Sequence, residues 1–97
     1  MIKRKPNAEQ IKNAINPADF YRHHLNAPLT KHGLNSGGLC VFHNDRKAGS
    51  FFVNLNSGAF ICYSCGTKGG DIIAFTMRLY GLTFSEALAQ LAHDWGL

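Results

Sequence analysis

The chain has 97 residues, room for one domain, and a domain this short buries only about 60–65% of the surface its unfolded chain exposes, so extra fastening is expected. Hydrophobic residues make up 45% and charged residues 16%, a globular composition that excludes wholesale disorder. The formal net charge of +4 suits an anionic partner such as nucleic acid, and no apolar run approaches the ~18 residues of a membrane helix, so no membrane role is expected.

Residues 1–6 read as a basic tail, since Lys3, Arg4 and Lys5 are followed by polar residues rather than by the apolar core of a secretory signal. The cytoplasm is the expected compartment, and residues 7–97 read as a single domain. Asn7, with Gln10 three positions on, is an N-cap signal before the apolar stripe Ile11, Ala14 and Ile15. Asn16 and Pro17 start a second helix with Phe20, Tyr21 and Leu25 on its apolar side, and Ala27-Pro28 is expected to end it.

From Leu29 to Ile61 the punctuation changes to Gly, Asn and Ser. Ser50 to Leu55 alternates as a strand with Phe51, Val53 and Leu55 on one face; Asn56-Ser57-Gly58 turns, and Ala59 to Cys62 returns. One or two earlier strands are expected between Leu29 and Cys40, completing a small antiparallel sheet. Asp71 caps a third helix that Gly81 ends. Thr83 with Glu86 is a capping box for a fourth, whose Phe84, Ala87, Leu88, Leu91, Ala92 and Trp95 recur at helical spacing. The fold class is α+β, a small antiparallel sheet flanked by short helices.

Cys40-Val41-Phe42-His43 and Cys62-Tyr63-Ser64-Cys65 are two ligand pairs, each with two intervening residues, separated by 18 residues. This spacing lets two tight knuckles present three thiolates and one imidazole to one ion. Three cysteines cannot all pair within the chain, and a reducing compartment leaves them free for metal. One structural zinc held by Cys40, His43, Cys62 and Cys65 is therefore expected, and removing it should unfold the sheet. Four protein ligands leave no open position for catalysis. Nucleobase deamination is excluded because His43 is followed by Asn44-Asp45 and Cys62 is preceded by Ile61, neither fitting that signature. His23, His24, His32 and His93 have no partner at ligand spacing and receive no role.

Cys40-Val41-Phe42-His43-Asn44-Asp45-Arg46, then Ser50-Phe51-Phe52-Val53, Cys62-Tyr63-Ser64-Cys65-Gly66 and Gly70-Asp71-Ile72-Ile73-Ala74-Phe75 closely resemble the zinc-binding domain of bacterial-type DNA primases. The resemblance extends through Gly81-Leu82-Thr83-Phe84-Ser85-Glu86-Ala87, which looks like the family's helix-turn-helix ending. It implies a module that binds single-stranded DNA template and helps choose where an RNA primer begins in DNA replication, with nucleotide joining done elsewhere. A primase catalytic domain, helicase or polymerase is the implied protein partner. Val41 and Gly49 stand where the family usually has prolines, and the segment between Asn44 and Gly49 is one residue longer, so loop geometry and template preference do not transfer. No catalytic residue is assigned, because the six acidic residues are scattered along the chain.

Single-strand binders combine cations for phosphates with rings for base stacking. Arg46 and Lys47 follow the first knuckle, Lys68 follows the second, and Lys31 precedes the sheet. Phe52, opposite in alternation to Phe51 and Val53, and Tyr63 are the stacking candidates. Gly66-Thr67-Lys68-Gly69-Gly70 precedes the third helix and has the makings of a phosphate contact, though knuckle turns account for its glycines better. Two alternatives stay open: a stand-alone adaptor contacting a separate replication protein, and a regulator that binds duplex DNA.

Overall fold

The computed structural model describes residues 6–97; the basic segment Lys3-Arg4-Lys5 lies outside the described residues. The chain order is α1 (Ala8–Ala14), α2 (Pro17–His24), β1 (Leu34–Ser36), β2 (Phe51–Asn54), β3 (Phe60–Cys62), β4 (Lys68–Gly69), α3 (Ile72–Tyr80) and α4 (Phe84–Asp94). The strands form one antiparallel sheet in the order β1-β2-β3-β4. No described helix is long and apolar enough to cross a membrane.

Every helix start expected from local chemistry is present. Asn7 and Gln10 close a reciprocal capping box, as do Thr83 and Glu86. The side chain of Asn16 accepts from the Ala18 amide with Pro17 in the first turn, and Asp71 accepts from the Ala74 amide at 2.8 Å. Gly81 ends α3 in the left-handed conformation at φ 66°, where a side chain would be strained.

Two elements differ from expectation. The second helix stops at His24, short of Ala27-Pro28, because Leu25 turns to extended backbone (φ −119°, ψ 146°) and buries its side chain. Between Leu29 and Cys40 the expected early strand is β1 alone. β4 was not expected, since two residues, one of them a glycine, carry no periodic signal. It forms because Gly69 lies against Phe60 and Ala74, where an added Cβ would come within 2.6 and 2.7 Å. The missing side chain lets the strand enter between β3 and the start of α3.

One sheet face is buried and the other is open. Phe51, Val53, Phe60 and Cys62 point inward, each 3% exposed or less. They meet Ile11, Ile15, Phe20 and Tyr21 from the first two helices, Ile72, Ile73 and Phe75 from α3, and Leu88 and Leu91 from α4 in one core. Phe75 sits at its centre, edge-on to Phe20 (5.4 Å), Tyr21 (5.2 Å) and Phe60 (5.4 Å). The Tyr21 hydroxyl donates to the Gly58 carbonyl at 2.5 Å, tying α2 to the β2–β3 turn.

Candidate metal centre and open sheet face

The first knuckle follows β1, and the second runs from the end of β3 into the turn before β4. Antiparallel pairing sets Phe51 opposite Cys62, so the entry of β2 and the exit of β3 share one end of the sheet. The Tyr63 amide donates to the Ser50 carbonyl and the Gly66 amide to the Cys62 carbonyl, both at 2.8 Å. Gly66, at φ 79°, supplies the left-handed residue that turns the second knuckle back.

The folded chain brings Cys40, His43, Cys62 and Cys65 together, with one ligand atom from each lying within 4.8 Å of the others. The Sγ atoms of Cys40 and Cys65 are 3.9 Å apart, and the Sγ of Cys62 lies 4.0 Å from His43 Nδ1. A tetrahedron with metal–sulfur bonds of ~2.3 Å has sulfur–sulfur edges of ~3.8 Å, so the donors stand at coordination spacing. Three sulfurs and one imidazole nitrogen suit a borderline-soft divalent ion that tolerates tetrahedral geometry.

The thiols differ in readiness. Burial, reinforced by neighbouring thiols, pushes the Cys40 thiol up to about 12, so at neutral pH a metal must displace its proton. The Thr67 side chain, with its Oγ1 3.3 Å from Cys65 Sγ, and the Thr67 backbone hold the exposed Cys65 thiol down at about 6. Cys65 thus stands in surroundings that favour the thiolate, the form that binds a cation. The Phe42 amide donates to Cys40 Sγ at 3.4 Å, the amide–sulfur bond of a closed knuckle.

Asp45, whose role the sequence left unread, stands against both members of the first ligand pair. The Cys40 amide donates to its Oδ2 at 2.8 Å, and His43 Nε2 lies 3.6 Å from its Oδ1. Its carboxyl is held below the usual range by the Cys40 amide first, with help from the Lys47 and Arg46 amides and His43. Its position two residues after His43 was the available signal, hidden because many loop acids have that spacing.

Beside this centre lies the open sheet face. Ser36 stands opposite Phe52, Phe52 opposite Ile61 and Ile61 opposite Lys68, and paired residues project to the same side. The result is one row across all four strands. Tyr63, 72% exposed, meets Phe52 edge-on at 5.9 Å. Leu34, 70% exposed, helps line a hollow of about 260 Å³ with Phe52, Asn54 and Ile61. Of the residues singled out for nucleic acid, Phe52, Tyr63 and Lys68 are gathered at this face. Arg46, Lys47 and Lys31 stand exposed in loops rather than on the strands. Leu34 and Ile61 were not anticipated there, although alternation along β3 would have placed Ile61.

At the start of α3, where the sequence has the makings of a phosphate contact, the chain supplies its own carboxylate. Asp71 already caps that helix, and its second oxygen lies 3.5 Å from Lys12 Nζ. The chain's own carboxylate occupies the place an anion would take.

Two knuckles that converge three sulfurs and one nitrogen beside a small antiparallel sheet define a zinc-ribbon type of metal-binding domain. A family model for the CHC2 zinc finger matches residues 3–97, and the chain belongs to that family, the zinc-binding domain of DNA primases. It is 38% identical over 89 residues to a DNA primase of Rickettsia typhi, covering 92% of this chain and 14% of the relative. With a DNA primase of Streptomyces coelicolor the identity is 48% over 65 residues, covering 67% of this chain and 10% of the relative. The crystal structure of the Aquifex aeolicus primase zinc-binding and RNA polymerase domains matches with a TM-score of 0.68 and 27% identity, over 91% of this chain and 21% of that one. The chain therefore spans about a seventh of its Rickettsia relative's length. The primase resemblance and the α+β architecture both hold.

Proposed function

We propose that this chain is a zinc-dependent module that binds single-stranded DNA template for a DNA primase and acts in primer initiation during DNA replication. In this reading Cys40, His43, Cys62 and Cys65 hold one structural zinc, and no residue of the chain is catalytic. The observation that carries the DNA-binding part is the row Ser36, Phe52, Ile61 and Lys68 on an uncovered sheet face, with Tyr63 against Phe52. The exposed Tyr63 ring against the half-buried Phe52 ring, with a cation at the edge of the same row, suits unpaired bases and their phosphates, whereas duplex DNA keeps its bases stacked away from such a platform. Lys31, Arg46 and Lys47 add phosphate contacts from the flanking loops. The protein partner is a primase catalytic domain, in the same polypeptide or supplied separately, with helicase or polymerase as further candidates. The Aquifex aeolicus protein, which carries zinc-binding and RNA polymerase domains together, supports that pairing.

The test is a fluorescence-anisotropy titration of zinc-loaded protein with labelled single-stranded and duplex oligonucleotides at low and physiological salt. Tighter binding to single strands is expected. Phe52→Ala should cost about 1–3 kcal/mol of that binding, and Lys68→Ala should lower the salt slope by ~0.7. Duplex preference would favour a duplex-DNA regulator. Absence of binding even at low salt would leave the protein-adaptor role instead.

A further inference from the structure

Asp45 touches the first ligand pair at two points that serve different ends. Its Oδ2 accepts from the Cys40 amide at 2.8 Å, and its Oδ1 stands 3.6 Å from His43 Nε2. The other ring nitrogen, Nδ1, faces the sulfur cluster, 4.0 Å from Cys62 Sγ. The carboxylate side chain is only 10% exposed, so it is enclosed by the loop rather than solvated beside it.

An imidazole that gives its Nδ1 lone pair to a metal must carry its proton on Nε2. In this fold a carboxylate oxygen lies 3.6 Å from that nitrogen, near enough to favour the proton there. We propose that Asp45 is a positioning residue for the metal centre: it selects the His43 tautomer with Nδ1 free for the ion and braces the Cys40 amide in the same knuckle. The inference rests on the zinc reading above and extends it to a residue outside the ligand set. A carboxylate behind a ligating histidine orients the ring and makes it a stronger donor.

The two contacts can be separated chemically. An asparagine at this position keeps one acceptor for the Cys40 amide but turns an NH2 group toward the Nε2 proton, where two donors repel. A residue that merely closes the loop tolerates that change; one that sets the tautomer does not.

The experiment compares wild type, Asp45→Asn and Asp45→Ala by chelator competition for zinc. NMR of the isotope-labelled His43 ring nitrogens on zinc-saturated samples and far-UV circular dichroism accompany it. Both variants are expected to bind zinc about 10- to 100-fold more weakly while the saturated proteins keep the wild-type circular dichroism. The wild-type ring should show a metal-bound Nδ1 and a protonated Nε2, with the Nε2 proton signal shifted in Asp45→Asn. Wild-type zinc affinity in Asp45→Asn, or a metal-bound Nε2 in the wild type, would overturn the assignment. Failure of the wild type itself to bind zinc would instead remove the zinc reading, and the role of Asp45 with it.

Discussion

At the helical end, Phe20, Tyr21 and Phe75 are fully buried and meet edge to face at 5.2–5.4 Å. At the metal end, Cys40 and Cys62 are buried, but Asn44, Arg46, Lys47, Ala48 and Gly49 in the loop between the knuckles are exposed. Apolar burial can hold the first end. The second has too little of it and depends on donor atoms meeting an ion. Phe42 joins the two regions: it lies between the ligands Cys40 and His43, yet its ring packs on Phe60 (5.4 Å) and Phe75 (5.1 Å). One side chain thus touches both the metal knuckle and the core, while Phe52 and Lys68, proposed to meet DNA, stand on the open sheet face outside both.

Chelation is the largest way to break this contrast. Structural zinc contributes on the order of 10–16 kcal/mol in small metal-binding peptides, comparable to the whole net stability of a domain. Removing it should strip hydrogen-exchange protection from the amides of β2 and β3 before those of α3. If α3 loses protection in step with the strands, Phe42 makes the two ends one cooperative unit.

Phe75→Ala acts from the other side. Losing this central ring should cost about 3–5 kcal/mol of stability in urea unfolding of the metal-loaded protein. The visible absorption of a cobalt-substituted sample should stay as in the wild type, because the knuckles are closed by their own backbone bonds. A shifted cobalt spectrum would show that the core sets ligand geometry.

The smallest effect is a pH dependence confined to the helical end. His24 stacks on Phe20 at 4.3 Å, and burial lowers its pKa from the ordinary 6.5. The folded state thus favours the neutral ring, so the unfolded chain binds the extra proton first and stability falls as pH drops through 6.5. Replacing His24 by Gln should flatten this part of the stability–pH curve measured at saturating zinc. An unchanged slope would assign the acid sensitivity to the metal end.

The helix boundaries were legible because each rests on local chemistry: Asn7 with Gln10, Asn16 with Pro17, Thr83 with Glu86, and Gly81 as a left-handed stop. The ligand set was legible for a similar reason, since two residues between donors is a property of one knuckle. The early end of α2 was not, because Leu25 leaves the helix to reach a core that no nearby residue specifies. The loop before β2 also follows its own path: Gly49 adopts φ 133°, which a proline at that position cannot reach.

Composition, caps and ligand spacing by themselves determined an α+β domain with one metal centre, because these are short-range features of the chain. Only the tertiary structure decided that β4 exists, that Phe52, Ile61 and Lys68 form one row, and that Asp45 stands behind both Cys40 and His43. Each of these depends on strand register or on the closure of a loop, and register is set by what the opposite face buries rather than by the residues that end up side by side.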